Sequence, residues 1–177
     1  MRVTNITFTF DVGTPVVFNE LKKLIFDCEF ILNFVVWRLR KPRVTALLFE
    51  SGRVSMSGAK TVEDGKRAAR IFARKIQKAG YKQACLRNFK IINVVLYMKL
   101  NFRLDVRKLS LLNVGFVCYE PERSPAALLH GEKSKRYRFF PGGSVMITGY
   151  SDIESAFLDK LQIVDIATRI KWTQVFT

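Results

Sequence analysis

The sequence predicts an α+β protein of two similar halves, in each of which helices pack on one face of an antiparallel sheet. Three observations support this prediction. Residues 46–64 and 138–154 share one pattern, in which an aromatic residue, two glycines and the start of a helix recur at the same spacing. Apolar residues recur at helical spacing after the first copy of this pattern. Other segments alternate apolar and polar residues, as strands with one covered face do.

The shared pattern is an internal repeat of about ninety residues. Gly52 corresponds to Gly143, which lies 91 positions later, and the segment TNITF near the start corresponds to INVVL 88 positions later. We therefore expect two repeats, at residues 1–88 and 89–177. Each should contain a strand, a short helix, three further strands and a long helix. No segment rich in Gly, Pro or Ser separates the repeats, so we expect one continuous sheet.

The first long helix has clear start and stop signals. Thr61 is a capping hydroxyl with an acidic residue three positions later, and Gly80 favours a helix end. We therefore predict a helix over residues 62–79, with Phe72 and Ile76 on its buried side. Basic residues occupy the other side: Lys66, Arg67, Arg70, Arg74 and Lys78. A stripe of one charge sign is typical of a solvated helix surface, but it also suits an acidic partner.

The segment before this helix predicts a hairpin with two unlike faces. Val44, Ala46 and Leu48 point to one side, which we expect the helices to cover. The opposite side receives, from the two strands of the hairpin, Thr45, Leu47, Phe49, Arg53, Ser55 and Ser57. An uncovered sheet face that carries Leu and Phe among hydroxyls needs a binding partner.

Composition narrows the class of partner. The chain has 30 Lys and Arg against 15 Asp and Glu, a formal charge of +15, which favours a polyanion such as nucleic acid. Three scattered cysteines and a single histidine, His130, make a metal site improbable, and no catalytic set stands at a recognisable spacing. We expect no enzyme activity and no cofactor. We also expect neither a membrane span nor a signal peptide, because no long apolar run is present.

The uncovered face suits a DNA minor groove. Asn5 and Asn93 occupy matching points of the two first strands, and we expect both near a two-fold pseudo-axis. The groove floor offers mainly hydrogen-bond acceptors, which amide donors can reach. The expected groove contacts around these amides are Thr7, Val95, Ser57 and Thr148. Phe49 and Phe140 could open base steps, while a cluster of arginines could hold phosphates: Arg38, Arg40, Arg43 and Arg53.

Several motifs in order resemble the TATA-binding protein family. They are RLRKPRVTALLFESGRVSMSGAK, RAARIFARKIQKAGY, NFKIINVV and YEPE, and the similarity extends over nearly the whole chain. The resemblance implies a saddle of two pseudo-symmetric repeats forming one curved antiparallel sheet, with helices on the convex side. It also implies a nuclear factor for initiation by RNA polymerase II, which binds promoter DNA beneath the concave sheet and other initiation factors outside.

Departures from the family pattern make the chain most similar to divergent TBP-like factors. The family inserts two phenylalanines per repeat into DNA, but Leu32 and Ser124 replace one of each pair, and Arg138 replaces a leucine. The expected result is weakened TATA specificity, because apolar wedges help offset the cost of kinking DNA.

The partner residues of the family are better preserved. Glu120 and Glu122 match acids presented to TFIIB, Arg40 matches a position used for TFIIA, and the basic stripe with Arg67, Arg70, Arg74 and Lys78 resembles a surface for regulators. One alternative therefore stays open. The chain could be an interaction module or competitor that binds TFIIA and TFIIB with little DNA binding.

Overall fold

The computed structural model describes residues 1–25 and 27–172. The chain forms two compact units. The first unit is Asn5–Ile92, and the second is Met1–Thr4 together with the residues from Asn93 onward. None of the helices in residues 1–25 and 27–172 combines the length and the apolar composition of a membrane span.

The first unit is an antiparallel sheet with two helices. Its elements are β1 (Arg2–Asp11), α1 (Phe18–Leu24), β2 (Cys28–Ile31), β3 (Phe34–Arg40), β4 (Arg43–Leu48), β5 (Arg53–Ala59) and α2 (Val62–Lys78). Of β1, the residues from Asn5 onward belong to this unit. The strand order is β2-β3-β4-β5-β1. Four strands follow α1, one more than the sequence predicts, because the four-residue β2 is too short to show alternation.

The second unit repeats this order of elements, but a 3₁₀ helix replaces the first helix and two shorter helices replace the long one. Its elements are β6 (Arg87–Lys99), a 3₁₀ helix (Val106–Leu112), β7 (Phe116–Cys118), β8 (Ala127–His130), β9 (Arg136–Phe140), β10 (Ser144–Tyr150), α3 (Ile153–Leu158) and α4 (Lys160–Arg169). Of β6, the residues from Asn93 onward belong to this unit. The strand order is β6-β10-β9-β8-β7. The three-residue β7 is again a strand that the sequence analysis missed.

Helix α2 confirms its predicted signals and covers the predicted face of the sheet. The Thr61 hydroxyl accepts a hydrogen bond from the Asp64 backbone N–H at 3.1 Å, which satisfies one of the free donors of the first turn. The Phe72 ring packs on Trp37, with ring centroids 5.7 Å apart. Burial of a side chain such as Phe72 contributes about 1.5–3 kcal/mol. Val44, Ala46 and Leu48 are buried on this side, so the predicted two-faced hairpin is confirmed.

One glycine in each unit fixes the turn that leads into the last strand. Gly52 has φ +84°, and a Cβ atom there would lie 2.2 Å from the backbone oxygen of Thr14. Gly143 has φ +81°, and its Cβ would lie 2.1 Å from the oxygen of Phe102. Only glycine fits both the positive φ and the close approach. The repeat seen in the sequence therefore preserves a backbone requirement.

The last helix of the second unit differs from the prediction of one long helix. It is broken between α3 and α4 at Asp159, whose carboxylate accepts hydrogen bonds from Lys135 Nζ at 2.7 Å and Tyr137 Oη at 3.0 Å, and from Tyr150. Burial raises the pKa of Asp159, but these hydrogen bonds outweigh it and hold that pKa below its usual value. The N-cap of α3 is Asp152, whose side-chain oxygen accepts a hydrogen bond from the Ser155 N–H at 2.7 Å.

Candidate nucleic-acid interface

The first unit has a sheet face opposite α2, which we call the first open face. Strand register places on it the predicted residues Thr7, Arg38, Thr45, Leu47, Ser55 and Ser57. Thr7 and Thr45 both pair with Ser57, Leu47 pairs with Ser55, and Arg38 pairs with Thr45. Directly paired residues of antiparallel strands lie on the same side of the sheet. The predicted strand residues of this repeat are thus brought together on one surface of small hydroxyls around a leucine.

Asn5 is oriented by a backbone irregularity. A bulge interrupts the pairing of β1 and β5 between Ile6 and Thr7, and there the Gly58 N–H donates to Asn5 Oδ1 at 2.7 Å. The hydrogen bond from Gly58 engages the amide oxygen of Asn5 and leaves its Nδ2 group pointing away from this contact. The Nδ2 donors of Asn5 have no partner within residues 1–25 and 27–172. The Nδ2 donors of the side chain are therefore available to a ligand on this face.

Phe49 lies at an end of the first open face and is not isolated. Its ring centroid is 6.1 Å from that of Phe34, which belongs to β3. Leu32, in the turn between β2 and β3, is 92% exposed. The apolar group at this end is therefore an aromatic pair beside a protruding leucine.

The charged residues of the first open face are partly neutralised. Arg38 forms an ion pair with Glu29 of the neighbouring β2, which the sequence analysis did not consider. Arg53 stands directly across from Asp11. The predicted phosphate contacts therefore share this face with two carboxylates.

The second unit has a corresponding second open face, on the side of its sheet opposite the buried Val145 and Ile147. Asn93 repeats the geometry of Asn5, since its Oδ1 accepts from the Gly149 N–H at 2.7 Å beside a second bulge. Val95 and Thr148 lie on this face by strand alternation. Phe140 pairs with Ser144. The predicted residues of the second repeat also share one surface.

The second open face is bulkier and more basic than the first. Alternation and register add to it side chains that the sequence analysis did not assign to DNA: Tyr97, Lys99, His130, Arg136, Arg138 and Met146. The Tyr97 and Ser144 hydroxyls are hydrogen bonded at 2.8 Å. A count of alternate residues along β6, β9 and β10 would have found most of this set.

Most of the predicted partner residues lie away from the open faces of their units, and Arg40 is the exception, because it pairs with Arg43 and lies two residues from Arg38 on the side of the first open face. Arg67, Arg70, Arg74 and Lys78 are exposed along α2. Arg40 lines an open pocket of about 310 Å³ whose other basic members are Lys41, Arg43, Lys60 and Arg67, with Asp64 as the one carboxylate.

The two acids predicted for TFIIB follow β7 in an exposed turn. Glu120 Oε2 accepts from Arg123 Nη1 at 2.9 Å, and this bond lowers the pKa of the Glu120 carboxyl. Glu122 is exposed in the same turn. Ser124, at the position of a missing wedge, is exposed just beyond them.

Comparison with known proteins places this chain in a family. The model of the family described as transcription factor TFIID (or TATA-binding protein, TBP) matches residues 1–79 and 88–166. The chain therefore belongs to the TATA-binding protein family, as the motifs predict. Similar curated proteins include "TATA box-binding protein-like 2" of Rattus norvegicus, 36% identical over 74% of this chain and 39% of that protein. The TATA-box-binding protein of Tetrahymena thermophila is 33% identical over 84% of this chain and 61% of that protein.

Two further comparisons concern length and fold. "TATA-box-binding protein-like 1" of Entamoeba histolytica is 31% identical over 82% of this chain and 76% of that protein. The alignments thus span about two fifths to three quarters of these relatives. Among solved structures, Methanococcus jannaschii TBP matches 96% of this chain and 98% of its own, with a TM-score of 0.80 and 24% identity. This similarity confirms the predicted fold class.

Proposed function

We propose that the chain is a core-promoter transcription initiation factor that binds the DNA minor groove through its two open faces. One observation carries the proposal. In each unit a glycine N–H occupies the amide oxygen of an asparagine, Gly58 for Asn5 and Gly149 for Asn93, at 2.7 Å in both cases. Both amides are thereby held with their donors available, and the minor-groove floor presents acceptors at every base pair.

The surroundings of the amides suit the same partner. Small uncharged side chains share the face with each amide, Thr7 and Ser57 with Asn5, and Val95 and Thr148 with Asn93. Phe49 and Phe140 supply apolar groups that can enter a base step, as in other proteins that bind this groove. The net charge of +15 favours a polyanion.

The proposal includes the finer features that the family resemblance implies. The chain would act in the nucleus with RNA polymerase II, binding TFIIB through Glu120 and Glu122 and TFIIA near Arg40. TATA specificity would be weakened, since Leu32 and Ser124 stand where wedges are expected and unstacking costs a few kcal/mol per step. No catalysis or cofactor is assigned.

A second candidate function is that of a module that binds TFIIA and TFIIB with little affinity for DNA. The Glu29–Arg38 ion pair favours it, because a carboxylate on the first open face opposes the approach of phosphates. The two candidates differ in what they predict for DNA alone.

A binding assay separates them. The intact chain is titrated into labelled duplexes containing TATA, mixed or GC-rich cores, over a salt series, with and without TFIIA. The proposal predicts binding that weakens steeply with salt and is reduced by Phe49→Ala and Phe140→Ala. Phe157→Ala is the matched control, since Phe157 is 40% exposed but lies on α3. Capture of TFIIA without any DNA binding at low salt would instead support the module.

A further inference from the structure

The second unit contains a polar cluster at positions where the first unit is apolar. The cluster is joined by hydrogen bonds and consists of Lys135, Tyr137, Tyr150 and Asp159. The residues 91 positions earlier are all buried and apolar: Val44, Ala46, Ala59 and Ala68. The first unit builds the same order of strands and last helix without these polar groups, so the fold does not require them. Because burying polar groups is costly, the cluster points to a role beyond packing.

The cluster borders a cavity of about 520 Å³, which is lined by residues of α4, β8 and β9. Lys135, Tyr137 and Asp159 form its polar wall, and Leu129 and Ile163 belong to its apolar wall. Sites for small ligands have volumes of about 300–1,000 Å³ and combine apolar walls with a few convergent polar groups. The cavity therefore has the size and the composition of a ligand site.

The cluster has fewer protons than contacts. The hydroxyl oxygens of Tyr137 and Tyr150 lie 2.8 Å apart, and both also contact Asp159 Oδ2. Burial raises the pKa of both tyrosines, so each keeps its single hydroxyl proton, while the lowered pKa of Asp159 leaves the carboxylate ionised. When both protons are donated to Asp159, none remains for the contact between the two tyrosine oxygens. The cluster therefore has acceptors to spare.

The charges of the cavity also favour a donor. All three hydrogen bonds accepted by Asp159 end on Oδ2, and Oδ1 accepts none within residues 1–25 and 27–172. The hydrogen bond to Asp159 raises the pKa of Lys135, and the nearby carboxylate of Glu132 adds to this effect. With His130 taken as neutral, the lining residues carry two carboxylates and one ammonium, a formal charge of −1 in a chain of +15. Lys135 neutralises one carboxylate, and Glu132 supplies the remaining negative charge.

We propose that this cavity binds an alkylammonium group, with the N–H donors directed to Tyr137 Oη and Asp159 Oδ1 and the apolar stem against Ile163. An ammonium has three donors and no acceptor, which complements the excess of acceptors in the cluster. A carboxylate or phosphate would add acceptors and meet the negative charge of Glu132. A free amine and a lysine side chain of another protein share this chemistry. The site involves neither open face, so it is independent of the proposed DNA binding.

The test titrates probes of nearly the same shape into the intact chain: 4-phenylbutylamine, 4-phenylbutan-1-ol and 4-phenylbutyrate. A capped lysine, N-acetyl-lysine N-methylamide, represents the side chain of a protein partner. Binding is followed by NMR of ¹³C-labelled methyl groups. Leu129 and Ile163 report on the cavity, and Ile76, which is buried in the first unit, reports on the rest of the chain.

The amine should bind with a Kd of roughly 1 mM, as is usual for a ligand of so few atoms, and should shift Leu129 and Ile163 but not Ile76. The alcohol should bind about tenfold more weakly, because a neutral hydroxyl supplies one donor where the ammonium supplies three charged ones. The carboxylate should cause no shift at the cavity. The tighter of the amine and the capped lysine indicates whether the natural source is a free amine or a protein side chain.

Four variants locate the site. Glu132→Gln and Asp159→Asn should each weaken amine binding about threefold or more and leave alcohol binding nearly unchanged, since both remove negative charge. Gln162→Trp, at an exposed cavity position of α4, should occlude the cavity and abolish binding of every probe. Glu154→Gln is the matched control, because Glu154 is exposed on α3 and does not line the cavity. A thermal melt verifies that each variant is folded, and the comparison of probes on the intact chain stands without Asp159→Asn.

Three results would overturn the inference. Equal affinity for the amine and the alcohol would show that the polar cluster selects nothing. Tighter binding of 4-phenylbutyrate would assign the cavity to anions held by Lys135. No shift of Leu129 or Ile163 at amine concentrations several times the expected Kd would show that the cavity is not a site for this class of ligand.

Discussion

Substitutions at Asn5 and Asn93 should change DNA binding while leaving the stability of the fold nearly unchanged. In Asn5→Asp and Asn93→Asp, an oxygen remains to accept the Gly58 or Gly149 N–H, but the amide donors are lost. Replacement by Ala would be less informative, because it would also leave a backbone N–H without its acceptor, at about 1–3 kcal/mol. The free energy of unfolding of each Asp variant should therefore lie within about 0.5 kcal/mol of that of the parent chain.

DNA binding should respond differently. A side-chain contact with base edges is worth about 1–3 kcal/mol, and a carboxylate would also be repelled by the phosphates. Since about 1.4 kcal/mol corresponds to a tenfold change, each variant should bind duplex DNA at least about tenfold more weakly. The double variant should approach a hundredfold if the two sites act independently.

The assay is fluorescence anisotropy of a labelled A/T-rich duplex, paired with urea unfolding of each protein. Asn19→Asp is the matched control, since Asn19 is exposed on α1 and adds the same charge away from the open face. The reasoning is refuted if the folded Asp variants bind as tightly as the parent chain. It is equally refuted if Asn19→Asp weakens binding as much as they do.

Three further predictions concern single contacts. Asp159→Asn should lower the free energy of unfolding by about 1–3 kcal/mol at pH 7 in urea, because Asn satisfies fewer of its three donors. The pKa of Asp159 is lowered in the folded state, so the carboxylate stabilises the fold above the ordinary aspartate pKa and ceases to do so as the pH falls through the lowered pKa. If Asp159→Asn lowered the free energy of unfolding equally at pH 7 and at low pH, this reasoning would be contradicted. Thr61→Ala should cost about 1 kcal/mol through loss of the α2 cap, again in urea, and no change would show that the cap is dispensable. Glu29→Gln should release Arg38 and tighten duplex binding about threefold with a steeper salt dependence, whereas weaker binding would argue that the ion pair positions Arg38.

The sequence predicts the parts of the fold that depend on local periodicity. The two faces of β4 and β5 follow from alternation, because successive strand residues point to opposite sides. Helix α2 follows from the cap at Thr61, the apolar spacing and Gly80. The repeat follows from Gly52 and Gly143, whose positive φ admits no other residue easily.

The features that were missed depend on contacts between distant residues. No Gly or Pro marks the break at Asp159, which arises where the carboxylate meets Lys135 and two tyrosines from the sheet. Strands β2 and β7 are too short for periodicity to show. Without β2, the pairing of Glu29 with Arg38 could not be anticipated.

The candidate site likewise combines features that local periodicity predicts with features that depend on contacts between distant residues. Alternation alone is sufficient to place Thr7, Leu47 and Ser55 on one face. The orientation of the Asn5 amide depends instead on a bulge that brings the Gly58 N–H within 2.7 Å of Oδ1, which residue types alone do not reveal.

Methylation protection by dimethyl sulfate tests the central claim most directly, because this reagent reports both grooves in one experiment. Adenine N3 lies in the minor groove, and guanine N7 lies in the major groove. With the intact chain bound to an A/T-rich duplex flanked by guanines, the account predicts protection of adenine N3 while guanine N7 reacts as in free DNA. Unchanged adenine N3 reactivity under conditions in which the duplex is fully bound, or protection confined to guanine N7, would contradict it.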